Sequence, residues 1–310
     1  MKTILVLTDF SVRANYAAKF AFQIAVKVKA NIVLCHAMEI VETAPMAEQL
    51  AWPIADHISL KQDTLIELKD LAKSLKKLIP KHAEGTTYKP SITCIADFGK
   101  LSVVAAAMVK EKEIDLVVMG SHKSNGLTRF LFGCHTHDVL DTINCPVLLV
   151  PEDLQFEKIH TIAYATDLTF SDFKVINYLA EIAKPFNAEI IVSHISVLGL
   201  DSIDEVTKIQ HATNKLLEQT HAKVFYTSIK GDNVPKCLLE TYGSGKADVL
   251  TLVHKRYGFF DGLFHSSVSK KMANTARVPL LILPYCFSAD IADISNEQLD
   301  KYCYEPGSSR

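Results

Sequence analysis

The stretch MKTILVLTDFSVRANYAAKFAFQIAVKVKANIVLCHAM, residues 1–38, has a second copy later in the chain, IHTIAYATDLTFSDFKVINYLAEIAKPFNAEIIVSHIS, residues 159–196. Asp9 aligns with Asp167 at a separation of 158 residues (167 − 9 = 158), and no gap is needed across either copy. In each copy a short apolar run is followed by apolar residues at helical spacing and then by a second apolar run. Each copy is therefore predicted to begin with a strand, a helix and a strand.

A second pair of stretches, 115–151 and 248–284, aligns equally well at a separation of 133 residues (248 − 115 = 133). The fall from 158 to 133 means that the first copy has about 25 additional residues in its middle, and 39–60 is the obvious place for them. Copies near 150 residues are the size of domains and too long for the repeats of a solenoid. The predicted domains are 1–151 and 158–284, followed by a C-terminal tail at 285–310.

Strands and helices alternate through the first copy. The predicted strands are 3–8, 31–36, 91–96, 116–119 and 147–150, and the predicted helices begin at Ser11 or span 60–79, 101–111 and 136–143. The second copy repeats the pattern from Thr161 to Leu283, and the tail adds a short helix at 296–302. This alternation predicts an α/β fold. We expect two tandem Rossmann-like domains, each an open five-stranded parallel sheet with helices on both faces.

The composition excludes several classes of protein. Thirty-three basic and 35 acidic residues give a formal charge of −2, so the chain lacks the basic footprint of a nucleic-acid-binding protein. Seven irregularly spaced cysteines, with no CxxC pair, favour a reducing compartment over a disulfide framework. No apolar run approaches the roughly 20 residues that span a bilayer. We expect a soluble cytoplasmic protein with no nucleic acid and no membrane among its partners.

Polar and glycine-rich residues follow the first and fourth predicted strands. In open α/β sheets, ligands bind beyond the carboxyl ends of the strands, where the strand order reverses. In the first copy Asp9 follows strand one and Gly120 follows strand four. The loop MGSHKSNGLTRFLFGCHTH, residues 119–137, reaches Gly133 and Cys134 directly before a helix. The free N–H groups and the dipole at such a helix start favour an anion.

With these residues in place, the first copy resembles a universal stress protein domain. Nucleotide-binding members of that family have G-x2-G-x9-G-[S/T] after strand four and an aspartate closing strand one. Asp9 matches the aspartate, Gly120 the first glycine and Gly133 the third glycine. The resemblance covers nearly the whole chain and implies two tandem adenine nucleotide alpha hydrolase-like domains. It also implies that the aspartate lies near adenine and ribose, the first glycine near the sugar, and the later residues around the phosphates.

Two positions of the first copy depart from the family pattern, because Lys123 replaces the second glycine and Cys134 the hydroxyl residue. A lysine neutralises phosphate but fills space where the backbone should approach closely. Cysteine is a poor hydrogen-bonding substitute for a hydroxyl. We therefore expect a weakened adenine-nucleotide site with ATP as the ligand. Its residues are Thr8, Asp9, Gly120, His122, Lys123, Gly133 and Cys134.

The second copy departs further. Val253, Arg256 and Ser266 replace the three glycines, and Ser267 alone keeps the hydroxyl. Bulky aromatic residues occupy the loop between them. We interpret this domain as degenerate and structural. The alternative is a remodelled pocket in which residues 254–256 face an anionic ligand other than ATP.

Several cysteine and histidine residues near the loop could suggest other chemistry. Cys134 at a helix start beside His135 has the setting of a reactive thiol, although a half-buried small residue explains it as well. His135 and His137 are two positions apart on a helix and do not share a face, so we predict no metal site. His36 and His194, at the matched end of strand two, are interpreted as polar strand ends.

No familiar catalytic motif is visible. Asp9 has no partner nucleophile at readable spacing, no acidic cluster suits Mg²⁺, and the chain has no P-loop, GxSxG or HExxH. The predicted role is a stress-response protein that senses a ligand or protects, and not an enzyme. The alternatives are an interaction scaffold that binds no nucleotide and a weak nucleotide hydrolase.

The last strands of the two copies, within CPVLLVP at 145–151 and VPLLILP at 278–284, are short and apolar. In the resembled family the fifth strand pairs two domains antiparallel. The resemblance therefore implies that this chain makes the pairing internally, as a pseudo-dimer of its own domains. Whether two chains also form a homodimer is left open by the sequence.

Overall fold

The structure is a computed structural model. It describes residues 1–39, 54–79, 87–121, 134–152, 154, 156, 158–166, 172–196, 223–231, 233–243, 245–254 and 278–284. The predicted tail at 285–310, with its helix at 296–302, lies outside these residues.

Strands and helices alternate through the first copy, and two α-helices are described among the five strands of the second. The strands are β1 Thr3–Leu7, β2 Asn31–Met38, β3 Ile92–Phe98, β4 Leu116–Ser121, β5 Val147–Pro151, β6 Thr161–Thr166, β7 Glu189–Ser196, β8 Val224–Lys230, β9 Val249–His254 and β10 Leu280–Pro284. The helices are α1 Val12–Val28, α2 Ile54–Lys76, α3 Leu101–Glu111, α4 Cys134–Thr142, α5 Asp172–Ala183 and α6 Val234–Tyr242.

The first strand and helix form for reasons that are local to the sequence. After Thr3, every residue of β1 is buried, which is typical of a parallel strand covered on both faces. Ser11 caps α1, because its hydroxyl oxygen accepts the N–H of Ala14 at 3.3 Å. The helix ends where Lys29 adopts a left-handed conformation, with φ at 58°.

The described residues fall into two compact units. The first comprises those within Met1–Ser121, Gly133–Cys145 and Glu152–Phe156. The second comprises Pro146–Pro151 and those within Glu157–Arg310. The predicted domain boundaries at 151 and 158 stay predictions.

In the first unit, four parallel strands lie in the order β3-β2-β1-β4. Because crossovers between parallel strands are right-handed in nearly all proteins, α1 and α2 cover one face and the return through α3 covers the other. Consistent with this, α1 contacts α2, and α3 contacts α4. The predicted α/β fold with helices on both faces is confirmed.

In the second unit the strands lie in the order β5-β10-β9-β6-β7-β8. All neighbours are parallel except β5, which runs antiparallel to β10 with Leu148 opposite Leu281. The predicted antiparallel pairing of the two last strands is therefore confirmed. β5 is the fifth strand of the first copy, and β10 is the fifth strand of the second.

The duplication is visible in the hydrogen bonds at the start of β4 and β9. The Oδ2 atom of Asp115 accepts the main-chain N–H of Thr3 at 2.9 Å and that of the preceding residue at 2.6 Å. In the second copy, Oδ2 of Asp248 accepts the N–H of Thr161 at 2.9 Å and that of the preceding residue at 2.6 Å. The two copies thus fix their central strands with the same carboxylate clamp.

Several predicted boundaries differ from the structure, among them those of the second helix and of the second and fourth strands. The second helix begins at Ile54 and not at 60, so part of the segment at 39–60 that was assigned to inserted residues is helical; residues 40–53 lie outside the described part. Strand β2 extends to Met38 because that residue still pairs with Phe98 of β3. Strand β4 extends to Ser121, so Gly120 lies inside the strand and not after it.

Gly120 is the place where α1 approaches β4 most closely. A Cβ atom added at Gly120 would lie 2.9 Å from the carbonyl carbon and oxygen of Arg13 and 3.1 Å from the nitrogen of Ala14. These are main-chain atoms of a helix and cannot move aside as a flexible side chain would. The glycine is therefore required by packing, whatever else it does.

Replacing Gly120 by Ala is expected to lower the free energy of unfolding by about 1–3 kcal/mol, because the added methyl group overpacks the contact with α1. Gly120→Val, which introduces the residue found at the matching position 253, should cost more than Gly120→Ala. Denaturant titration followed by circular dichroism measures both. A Gly120→Ala protein that unfolds at the wild-type midpoint would contradict the packing described above.

Candidate functional site

The carboxyl ends of β1 and β4 lie side by side. Val6 of β1 pairs with Val118 of β4, so two residues further along Thr8 and Gly120 are at the same level on neighbouring chains. Adjacent strands are about 4.8 Å apart. The structure therefore brings Thr8, Asp9 and Gly120 together, as the sequence predicted.

The turn between β1 and α1 is held in one conformation by several contacts. The hydroxyl oxygen of Thr8, a buried residue, accepts the N–H of Phe10 at 3.1 Å. Phe10 has φ at 59°, in the left-handed region that non-glycine residues seldom adopt. Its ring lies 4.9 Å from that of His36, centroid to centroid. Such conformations persist only where neighbouring contacts determine them, and they are frequent at functional sites.

Both carboxylate oxygens of Asp9 have partners. Oδ1 accepts the N–H of Ser11 at 3.1 Å and also the Ser11 hydroxyl, while Oδ2 accepts from Nη2 of Arg13 at 2.8 Å. Partial burial raises the pKa of the Asp9 carboxyl, but the hydrogen bonds from Ser11 and Arg13 and the Arg13 charge outweigh burial and hold that pKa below its usual value. Asp9 is thus an oriented anion and a weak base at neutral pH.

The matched histidines make the same contact in both units. Nδ1 of His36 lies 2.7 Å from the carbonyl oxygen of Thr8, and Nδ1 of His194 lies 3.2 Å from that of Thr166. Since a carbonyl only accepts, each Nδ1 bears the proton. Both histidines lie two residues before the ends of their strands, and not at the ends as expected. Their role in fixing the first turn fits the structural interpretation.

The remaining predicted site residues are described only in part. Helix α4 begins at Cys134, two residues earlier than predicted, so the residue does stand at a helix start. His122, Lys123 and Gly133, and the side chain of Cys134, lie outside the described residues.

In the second unit, β9 ends with Val253 and the buried His254. Asp167, which matches Asp9, lies outside the described part of the chain, as do Lys255, Arg256, Ser266 and Ser267. Val253 stands where the first copy has Gly120 (253 − 120 = 133), so the two carboxyl edges differ at this position.

The cysteines that the structure describes are free thiols, at positions 35, 94, 145 and 237. Burial, with the nearby Asp97 charge, raises the pKa of Cys35 to about 12. Burial, with the nearby Asp115 charge, raises the pKa of Cys145 to about 12. Neither thiol is poised as a nucleophile or a metal ligand.

The described residues also bear on two other features, a metal site and a membrane-spanning helix. They contain no group of three or more His, Cys, Asp or Glu side chains placed to share one metal ion. Their helices include none with the length and apolar character needed to cross a bilayer.

Sequence reasoning missed Arg13 and Phe10. The spacing of Asp9 and Arg13, four residues apart, is that of an ion pair along one helix face and could have indicated their contact. No sequence pattern indicates the left-handed Phe10, because its conformation depends on the stacking against a residue of β2.

Comparison with known proteins supports the family resemblance. Residues 1–151 match the model of the universal stress protein family. Over 149 residues the chain is 26% identical to a universal stress protein of Methanocaldococcus jannaschii, an alignment that covers 48% of this chain and 81% of the relative.

Solved structures extend the likeness of fold to both units. A universal stress protein from Archaeoglobus fulgidus superposes with a TM-score of 0.68 at 14% identity, covering 91% of this chain and 97% of that one. A Pseudomonas aeruginosa protein of unknown function superposes with a TM-score of 0.57 at 14% identity, covering 91% and 92%. At such identities the likeness concerns the fold alone. The family match over residues 1–151 identifies the amino-terminal half of this chain as a universal stress protein domain.

Proposed function

We propose that the amino-terminal half of the chain binds an adenine nucleotide, with ATP as the first candidate, at the carboxyl ends of β1 and β4. The observation that supports this most directly is the register of the two strands, which puts Thr8 level with Gly120 and Asp9 directly after Thr8. Ligands of open α/β sheets collect at such an edge. The predicted stress-response role, ligand sensing or protection, follows from the family.

Each part of the proposed site has chemistry that suits one part of the ligand. Asp9 is an ionised acceptor for the hydroxyls of ribose or the amino group of adenine. The start of α4 at Cys134 offers N–H groups and a favourable dipole to phosphate. The family resemblance gives His122, Lys123 and Gly133 places around the sugar and phosphates.

The proposed site is weaker than in members with the full glycine pattern. Lys123 and Cys134 replace a glycine and a hydroxyl residue, and a lost hydroxyl–phosphate hydrogen bond costs about 1 kcal/mol. In the second half, Val253 at the position of Gly120 puts a branched side chain at the matching edge. We therefore propose nucleotide binding by the first half only.

Binding without turnover is part of the same proposal. Asp9 is the candidate for a general base, yet Ser11 and Arg13 bind its carboxylate oxygens and lower its pKa. A carboxylate so held is a poor proton acceptor at neutral pH. The cytoplasmic location and the association of two chains into a homodimer stay predictions.

Calorimetric titration of the nucleotide-stripped full chain with ATP, ADP and AMP tests the binding. We expect saturable heat with one site per chain, and a fall in affinity of tenfold or more in Asp9→Ala because a charged acceptor is lost. Asp167→Ala, the matched change in the second half, is the control and should bind as wild type does. Absence of both binding heat and a thermal shift with these nucleotides would favour the alternative, an interaction scaffold that binds no nucleotide.

The double variant Lys123→Gly with Cys134→Ser restores the family pattern in the first half. It should bind ATP about fivefold more tightly, since one hydroxyl hydrogen bond of about 1 kcal/mol is regained and the backbone can approach the phosphates. The same titration measures the gain. An affinity unchanged or reduced would mean that these two residues do not weaken the site.

Phosphate release from ATP should not exceed that of a heat-denatured control at neutral pH. Coupled release assays on the wild type and on Asp9→Ala provide the measurement. Turnover in the wild type that Asp9→Ala abolishes would overturn the non-catalytic proposal and favour the weak hydrolase.

A further inference from the structure

Arg13 makes contacts at the carboxyl ends of both β1 and β4 in the first unit. Its main chain lies against Gly120, where an added Cβ would be 2.9 Å from the Arg13 carbonyl carbon and oxygen. Its side chain reaches Oδ2 of Asp9 at 2.8 Å. The backbone of residue 13 is therefore fixed at the end of β4 while its guanidinium is fixed at the end of β1.

The ion pair between Asp9 and Arg13 changes the net charge near a bound ligand. Asp9 alone would present one negative charge, which repels a phosphorylated ligand, whereas Asp9 and Arg13 together are neutral. Both side chains keep contact with solvent, with 49% of the Asp9 side chain and 31% of the Arg13 side chain exposed. A guanidinium has five N–H donors, and Asp9 accepts one of them through Nη2.

The second copy lacks this arrangement. The position that matches Arg13 is Ser171 (171 − 13 = 158), and the position that matches Gly120 is Val253. At the other end of the strands the copies share the Asp115 and Asp248 clamps, so these two differences lie at the carboxyl edge while the amino edge is alike. The arginine and the glycine on which its backbone packs thus occur in one half and are both missing from the other.

We propose that Arg13 is a specificity-determining residue of the first-half site, which neutralises Asp9 and so makes the site select phosphorylated over unphosphorylated adenine ligands. The inference rests on the proposed nucleotide site. Its chemistry is electrostatic, because the Arg13 guanidinium offsets the Asp9 carboxylate charge that a polyphosphate would otherwise meet at this edge. An uncharged adenosine gains little from the same charge.

Calorimetric titration of the full chain with ATP and with adenosine tests the inference in wild type and in Arg13→Gln. We expect Arg13→Gln to lower the affinity for ATP on the order of tenfold and the affinity for adenosine by less than about twofold. Arg13→Lys keeps the positive charge and should keep most of the preference for ATP. Arg13→Lys also shows whether a loss of affinity in Arg13→Gln comes from the missing charge or from misfolding. The unfolding midpoint of each variant checks for misfolding independently.

Lys27→Gln is the matched control, since it removes the same charge from the exposed last turn of α1. Fourteen residues of helix separate positions 13 and 27, or about 21 Å, well beyond the screening length of about 8 Å at physiological salt. Lys27→Gln should leave both affinities unchanged, and a loss of ATP affinity there equal to that of Arg13→Gln would overturn the inference.

The outcomes separate this inference from the proposal beneath it. Suppose that wild type binds ATP and that Arg13→Gln either weakens the binding of ATP and adenosine by the same factor or weakens the binding of neither. The selective role of Arg13 then fails while the site stands. If wild type binds neither ligand, the nucleotide site fails and the role of Arg13 fails with it.

Discussion

In the first unit, β1 lies between β2 and β4, and its pairing with β4 decides which polar residues meet at the carboxyl edge. Because Val6 is opposite Val118, Thr8 arrives beside Gly120. A shift of one residue would turn each side chain of β1, Leu5 among them, to the opposite face and so disturb the packing on both sides of the sheet. The hydrophobic core thus sets the geometry of the polar edge, and the approach of α1 is possible only because that level is occupied by a glycine.

The two halves of the chain have kept their scaffolds and changed their edges. At the amino ends of the strands, both copies use an aspartate to bind two main-chain N–H groups with equal distances. At the carboxyl ends, both use a histidine Nδ1 to bind the carbonyl that ends the first strand. The copies differ where a ligand would lie. This distribution is what a duplication produces when stability constrains the scaffold of both halves more tightly than it constrains the carboxyl edges.

Much of the fold follows from local signals. The apolar run of β1, the cap at Ser11 and the helix at Leu101–Glu111 depend on neighbouring residues, and the bounds of that helix agree with the sequence-based prediction. Strand ends are different, because β2 and β4 continue as far as their partners allow, and pairing partners are distant in sequence. The contact of Arg13 with Asp9 and the conformation of Phe10 depend on tertiary packing for the same reason. The neighbouring positions of Thr8 and Gly120 thus follow from signals in the sequence, while the backbone conformation of Phe10 does not.

The buried thiols of Cys35 and Cys145 bear on how this protein meets oxidants. The raised pKa of both thiols leaves almost none of either ionised at neutral pH, and peroxide reacts with the ionised form. Both residues are also buried, Cys35 within β2 and Cys145 just before β5. Oxidation of these two thiols should therefore be slow, because it requires both access to a buried sulfur atom and loss of a proton that burial retains.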